Sequence, residues 1–242
     1  MLRPYIFFDM RLVLFDIDGT LLWTDGAGRR AIRHALLAEM GTAGPIDVYR
    51  FDGKTDPQIV RDLLSLAGIG HEEIDARMEA VFERYLAVLE AELAAGQGET
   101  ILLAGVRELL QALEPHERRG EALVGLLTGN LVRGAELKLR AAGLDPTRFA
   151  VGAFGSDSHH RPDLPGIAAR RAGEHTGREF RGSDVVIVGD TPQDVECARP
   201  LGARAVAVAT GFYDTSELDR AGASHAFRDL SDTSAVLTAL LG

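Results

Sequence analysis

The sequence predicts an α/β protein, a doubly wound and mostly parallel sheet with a small α-helical unit inserted after the first strand. Three observations predict it. Residues 12–15 and 185–188 are unbroken apolar runs that lead into carboxylates. Buried parallel strands read as such runs, and ligands of open α/β sheets gather at their carboxyl ends. From residue 103 onward, apolar runs alternate with helix-period segments, the pattern of parallel strands joined by crossover helices. Between these regions, from Leu22 to about residue 95, the apolar periodicity is helical.

The first strand runs straight into Asp16-Ile17-Asp18-Gly19-Thr20. Helices of the inserted unit follow from apolar residues three and four apart: Ala31, Ile32, Ala35, Leu36 and Met40, then Ile59, Leu63 and Leu64, then Met78, Val81, Phe82, Tyr85, Leu86 and Leu89. Residues 41–45 and 68–70 break the unit into separate helices, and the small-residue stretch 94–99 links it back. The expected division is therefore residues 1–22 and 97–242 for the α/β core and 23–96 for the insertion. The core continues with a helix over 105–114, a strand over 123–127, a helix over 132–142 and a strand over 150–154. A helix over 164–175, a strand over 185–188, a helix over 193–200 and a strand over 205–209 come next. A short strand near 226–227 and a helix over 234–241 close the chain.

With 242 residues, 46% of them hydrophobic and 26% charged, the chain has the length and composition of a globular domain with a sizeable insertion. No apolar run approaches the roughly 20 residues needed to span a bilayer. A formal net charge of −10 argues against nucleic acid as a partner, because phosphate backbones are bound by basic surfaces. Cys197 is the only cysteine, which excludes a disulfide framework and a thiolate metal cluster. Its neighbours Val195 and Ala198 place it on a helix packed against the sheet. The first ten residues have too short an apolar stretch, and no small-residue cleavage site, for a secretion signal. The expected location is the cytoplasm, with residues 1–9 read as a dispensable extension. Asp9 also comes after an apolar run, but it lacks the second acid and the Gly-Thr turn found beyond Asp16, and no role is expected of it. The oligomeric state is not legible.

Three strand ends carry the candidate chemistry. At the first, Asp16 and Asp18 stand two apart directly after an apolar strand, where ligands of open α/β sheets gather. At the second, Thr128-Gly129-Asn130 follows the strand over 123–127; a hydroxyl and the amides of a strand-to-helix turn favour an anion there. At the third, Asp190 and Asp194 again place carboxylates after an apolar strand. Acids meeting at one sheet edge repel, by about 4 kcal/mol for two unit charges 4 Å apart at an effective dielectric of 20. A divalent cation offsets this, and an all-oxygen donor set suits Mg²⁺.

The pattern Asp16, Asp18, Gly19, Thr20 after an apolar strand resembles the first motif of the haloacid dehalogenase superfamily, and the resemblance covers nearly the whole chain. It implies a Rossmann-like core with a helical cap, Asp16 as the nucleophile that takes a phosphoryl group, and Asp18 as general acid and base. Members that cleave carbon–halogen bonds do not carry the second acid, so Asp18 points to phosphoryl transfer. Thr128 matches the second motif, which implies phosphoryl binding there and at Gly129 and Asn130. Asp190 and Asp194 match the fourth, which implies Mg²⁺ held by Asp16, the main-chain oxygen of Asp18 and Asp190. Asp194 would then act through water or as a support. Within the insertion, Gly53-Lys54-Thr55-Asp56 resembles the substrate loop of phosphoglycolate-phosphatase-like members, so Lys54 and Thr55 are expected at the substrate.

The third motif departs from the family, which normally places a lysine shortly before the fourth-motif strand. Here Ser158-His159-His160-Arg161-Pro162 occupies that region, and the only lysines are Lys54 and Lys138. Arg161 is the expected cation, because a guanidinium can bridge a carboxylate and a phosphoryl oxygen. Lys138 lies ten residues beyond Thr128, about 15 Å along a helix at 1.5 Å per residue, and is expected to fall short of the site. His159 and His160 are adjacent and point opposite ways, which argues against a metal pair.

Together these expectations describe a Mg²⁺-dependent phosphomonoester hydrolase acting on a small phosphorylated metabolite through an aspartyl-phosphate. Two alternatives stay open: a sugar phosphomutase with the same motifs, and a non-catalytic binding protein that keeps the fold.

Overall fold

The computed structural model describes residues 10–96 and 98–242. The expectations for residues 1–9 lie outside the described residues. β1 (Arg11–Phe15) opens the core; the chain leaves it along β2 (Leu22–Trp23), builds α1 (Ala27–Met40), α2 (Asp56–Leu66) and α3 (His71–Ala95), and returns along β3 (Ile101–Leu102). α4 (Val106–Arg118), β4 (Ala122–Thr128), α5 (Val132–Ala141), β5 (Val151–Phe154), α6 (Leu164–Thr176), β6 (Val185–Gly189) and α7 (Pro192–Ala198) follow. β7 (Arg204–Val208), α8 (Thr215–Ala221), β8 (His225–Phe227) and α9 (Thr233–Leu241) complete the chain.

The main sheet is parallel with strand order β5-β4-β1-β6-β7-β8. β1 is central because both of its faces are apolar. Successive side chains of a strand point to opposite faces: Val13 and Phe15 enter one core layer with Leu109 and Leu113 of α4, and Leu12 and Leu14 enter the other with Leu164 and Ala168 of α6. Phe15 lies beside Leu126 of β4 and Val188 of β6. From β1 the chain adds strands on one side, then crosses to add β6 and β7 on the other. The order therefore reverses between β1 and β6, where ligands of such sheets bind.

The insertion holds its own apolar cluster, in which Ile32 and Leu36 of α1 meet Leu63 of α2 and Val81, Tyr85 and Leu89 of α3. It is not helical throughout: residues 41–55 form turns and extended chain between α1 and α2. The pairs Leu22–Leu102 and Trp23–Ile101 make an antiparallel stem that periodicity does not announce, since two residues are too few to show a period. α8 escapes the pattern for the same reason, with Leu218 as its one buried residue. α4 runs on past residue 114 to Arg118, with Pro115 inside its last turn. Among the described residues, no helix is long and apolar enough to cross a membrane.

Candidate active site

Asp16 is the first residue beyond β1, and its N–H donates to the Val188 carbonyl of β6 at 2.9 Å. Its carboxylate, 6% exposed, faces Arg161. Arg161 lies in a short 3-10 turn ahead of α6, buried, with Nη2 3.1 Å from Asp16 Oδ2. The same nitrogen donates to Asp194 Oδ1. The other Asp194 oxygen accepts from the Thr191 N–H at 3.0 Å and the Thr191 hydroxyl at 2.6 Å, so this acid also caps the start of α7. Asp190 accepts from the Thr20 hydroxyl at 3.2 Å. It is wedged against two glycines: a Cβ on Gly19, whose φ is +81°, would lie 2.3 Å from Asp190 Oδ2, and one on Gly211 only 1.9 Å away. No other residue fits Gly19 in this packing.

Burial pushes the Asp16 carboxyl up to about 6, against the pull of Arg161 and with the push of Asp194 and Asp18. Asp190 is raised well above the usual carboxylate range, by burial first and then by Asp194 and Asp16. Oxygens of Asp16, Asp190 and Asp194 lie within 4.8 Å of one another, faced by one guanidinium. An excess of buried negative charge with all-oxygen donors fits a hard divalent cation. Both oxygens of Asp194 are engaged by Arg161 and Thr191, so its place is behind the donors rather than among them. Asp194, expected to act through water or as a support, thus meets backbone and guanidinium donors.

Asp18, two residues further on, has a separate set of partners. Its oxygens lie 2.8 and 2.7 Å from Lys138 Nζ, and Oδ2 also accepts from Asn130 Nδ2 at 2.8 Å. Lys138 therefore reaches the site, against the expectation that it falls short. α5 begins at Val132, so Lys138 is six residues in, about 9 Å along the axis. Helical side chains lean back toward the N-terminus, and a lysine covers the remainder. A signal was present: Lys138 stands between Ala135 and Leu139 on the buried stripe of α5, where a lysine needs an anion.

Thr128 ends β4 fully buried, its hydroxyl accepting from Asn130 Nδ2 at 2.8 Å. Gly129 lies under the inserted loop: its carbonyl accepts from the Asp56 N–H at 2.7 Å, and a Cβ there would lie 2.1 Å from the Lys54 carbonyl. Thr128, Gly129, Asn130 and Lys54 all line one cleft of about 700 Å³ with Asp16, Asp18, Arg161 and Asp190. Thr55 does not line it. Its hydroxyl donates to the His159 carbonyl at 2.8 Å and accepts from the Gln58 N–H, so it joins the loop to the core and caps α2. A capping threonine faces backbone, which corrects its expected place at the substrate. Lys54 is itself engaged, with Tyr49 and, at 3.2 Å, with Asp62. His160 pairs with Asp163 at the surface.

The fold and this site define a hydrolase whose acidic centre lies at the switch point of a parallel sheet, beneath a helical insertion. The chain belongs to the haloacid dehalogenase-like hydrolase family, whose model matches residues 13–199. It is 30% identical over 209 residues to a phosphoglycolate phosphatase of Pseudomonas syringae pv. tomato, covering 84% of this chain and 70% of that one. It is also 30% identical over 204 residues to an N-acetylmuramic acid 6-phosphate phosphatase of Pseudomonas putida, with 84% of each chain covered. A crystal structure of a hydrolase from Pseudomonas syringae superposes with a TM-score of 0.71 at 24% identity, over 96% of this chain and 100% of that one.

Proposed function

We propose that this hydrolase is a Mg²⁺-dependent phosphomonoesterase that works through an aspartyl-phosphate on Asp16. One observation carries the proposal: two carboxylates at the end of β1 are kept apart by different partners, Asp16 by Arg161 and Asp18 by Lys138 and Asn130. Two acids in distinct surroundings can take distinct roles. Asp16 attacks phosphorus, while Asp18 protonates the leaving oxygen and then takes a proton from water. Thr128 and the amides after it face the phosphoryl oxygens at a strand-to-helix turn, and Arg161 meets their charge. Asp16, Asp190 and the main-chain oxygen of Asp18 would hold Mg²⁺, which supplies neutralisation of the carboxylates and of the phosphoryl charge. Residues 23–96 act as the cap over the core formed by 1–22 and 97–242.

A mutase needs cations to hold a second phosphate. The cations of the inserted unit that line the cleft are already engaged: Lys54 with Tyr49 and Asp62, and Arg29 with the Ile46 and Tyr49 carbonyls. That favours hydrolysis. The test is phosphate release from p-nitrophenyl phosphate and a panel of small phosphomonoesters, with Mg²⁺ and with excess chelator. Release that requires Mg²⁺ is expected. No release from any ester would overturn the proposal, and full release in chelator would overturn the metal.

A further inference from the structure

Asp18 is joined to the inserted unit by buried polar side chains. Lys138 is 5% exposed, and an ammonium so placed is costly unless anions surround it. Asp18 meets it with both oxygens, at 2.8 and 2.7 Å. Asp56, the first residue of α2, lines the same cleft from the inserted unit. Burial raises the Asp56 carboxyl to about 6, and Lys138 is the strongest influence opposing that rise. Asp56 is anchored in turn, accepting from the Leu131 N–H at 2.9 Å and from the Tyr85 hydroxyl of α3. α1 lies over the same spot, since a Cβ on Gly28 would lie 3.5 Å from Lys138 Nζ and 4.0 Å from the Tyr85 hydroxyl. All three helices of the insertion thus converge on one ammonium that belongs to the core.

We propose that Lys138 is a positioning residue of Asp18, alongside Asn130, and that Asp56 and Tyr85 hold Lys138 in place, so that Asp18 is fully oriented only while the loop carrying Asp56 is seated on Gly129. This rests on Asp18 being the general acid and base. A lysine is a point charge on four flexible carbons, and a single partner leaves it many rotamers. A second buried carboxylate in the same cleft narrows that freedom. Asp56 is suited to this because its backbone N–H is already bound to the Gly129 carbonyl. Moving the loop withdraws the second anion and loosens the lysine, leaving Asp18 to Asn130.

The experiment compares wild type with Lys138→Met, Asp56→Asn, Tyr85→Phe and the double variant Lys138→Met/Asp56→Asn. Each is assayed at saturating Mg²⁺ with p-nitrophenyl phosphate, in steady state and as a burst, alongside thermal melts. Lys138→Met is expected to lower kcat by about 10²-fold, the scale of general acid–base catalysis, with KM within about threefold of wild type. The p-nitrophenol burst should persist, because that leaving group departs without a proton and the loss then falls on phosphoenzyme hydrolysis. Asp56→Asn should lower kcat about tenfold alone and add nothing in the Lys138→Met background, as for residues acting in series. A folded Lys138→Met with kcat within about threefold of wild type would overturn the proposal, as would additive losses in the double variant or a rise in KM with loss of the burst. If Lys138→Met does not fold, wild-type kcat in both Asp56→Asn and Tyr85→Phe overturns it, and a lowered kcat at unchanged KM supports it. A wild-type protein that releases no phosphate from any ester refutes the phosphatase proposal first, and this one with it.

Discussion

One nitrogen of Arg161, Nη2, serves Asp16 and Asp194 together: it lies 3.1 Å from Oδ2 of the first and donates to Oδ1 of the second. Asp16 at the end of β1 is thereby tied to the helix cap that follows β6. A guanidinium nitrogen holds its two N–H bonds in a fixed plane, so Arg161 fixes the angle between these two partners more tightly than a freely rotating ammonium would.

Arg161→Ala is expected to lower kcat by about 10²-fold or more, because it removes a preorganised positive charge beside the reacting phosphoryl group. Arg161→Lys should recover only part of that rate, since a flexible, freely rotating ammonium does not hold both carboxylates in the same fixed geometry. Steady-state kinetics of both variants, with melts to confirm folding, check this. Full activity in Arg161→Ala would remove the residue from the site.

Asp16→Asn should lose at least about 10³-fold in kcat while keeping the fold, because the amide has no nucleophilic oxygen and nearly the same volume. Asp18→Asn should still bind substrate yet turn it over poorly. Rapid-quench measurement of a phosphoenzyme burst in Asp18→Asn, absent in Asp16→Asn, separates the two roles.

Stability in chelator should fall as pH rises. Asp16 and Asp56 are raised from 3.8 to about 6 by burial, so between these values the folded protein binds more protons than the unfolded chain. Stability then declines through that window as pH increases. Acids held low, such as Glu121 at about 2 beside Arg119, act below it. The expected result is a higher Tm at pH 5 than at pH 7.5 without metal, with a smaller difference in Asp56→Asn. Mg²⁺ at pH 7.5 should raise the Tm by binding only the folded state, and Asp190→Ala should abolish that increment.

Gly129→Ala should impair turnover without unfolding the core. The new Cβ would lie 2.1 Å from the Lys54 carbonyl, so the loop carrying Lys54 and Asp56 must lift from its seat. A fall in kcat with little change in Tm is expected. Wild-type kinetics would show that the loop need not be seated for turnover.

The strand ends were legible because a buried parallel strand must be apolar on both faces, and acids directly after such a strand stand out from their neighbours. Asp16, Asp18, Thr128 and Asp190 could be located on that ground without any three-dimensional information. Arg161 was legible only through the resemblance, as the cation in the region where the family normally places a lysine. The two-residue stem and α8 were not, since neither is long enough to carry a period.

Sequence by itself determined the sheet, the insertion point and the acids at the strand ends, all of which follow from local periodicity and composition. Only the tertiary structure decided the partners. It set Lys138 against Asp18 across 120 positions, gave Thr55 to the His159 carbonyl, and engaged both oxygens of Asp194. Such pairings depend on how far a helix lies from a neighbouring strand and which way its side chains lean, and these distances are fixed by packing between layers rather than by the order of residues within one.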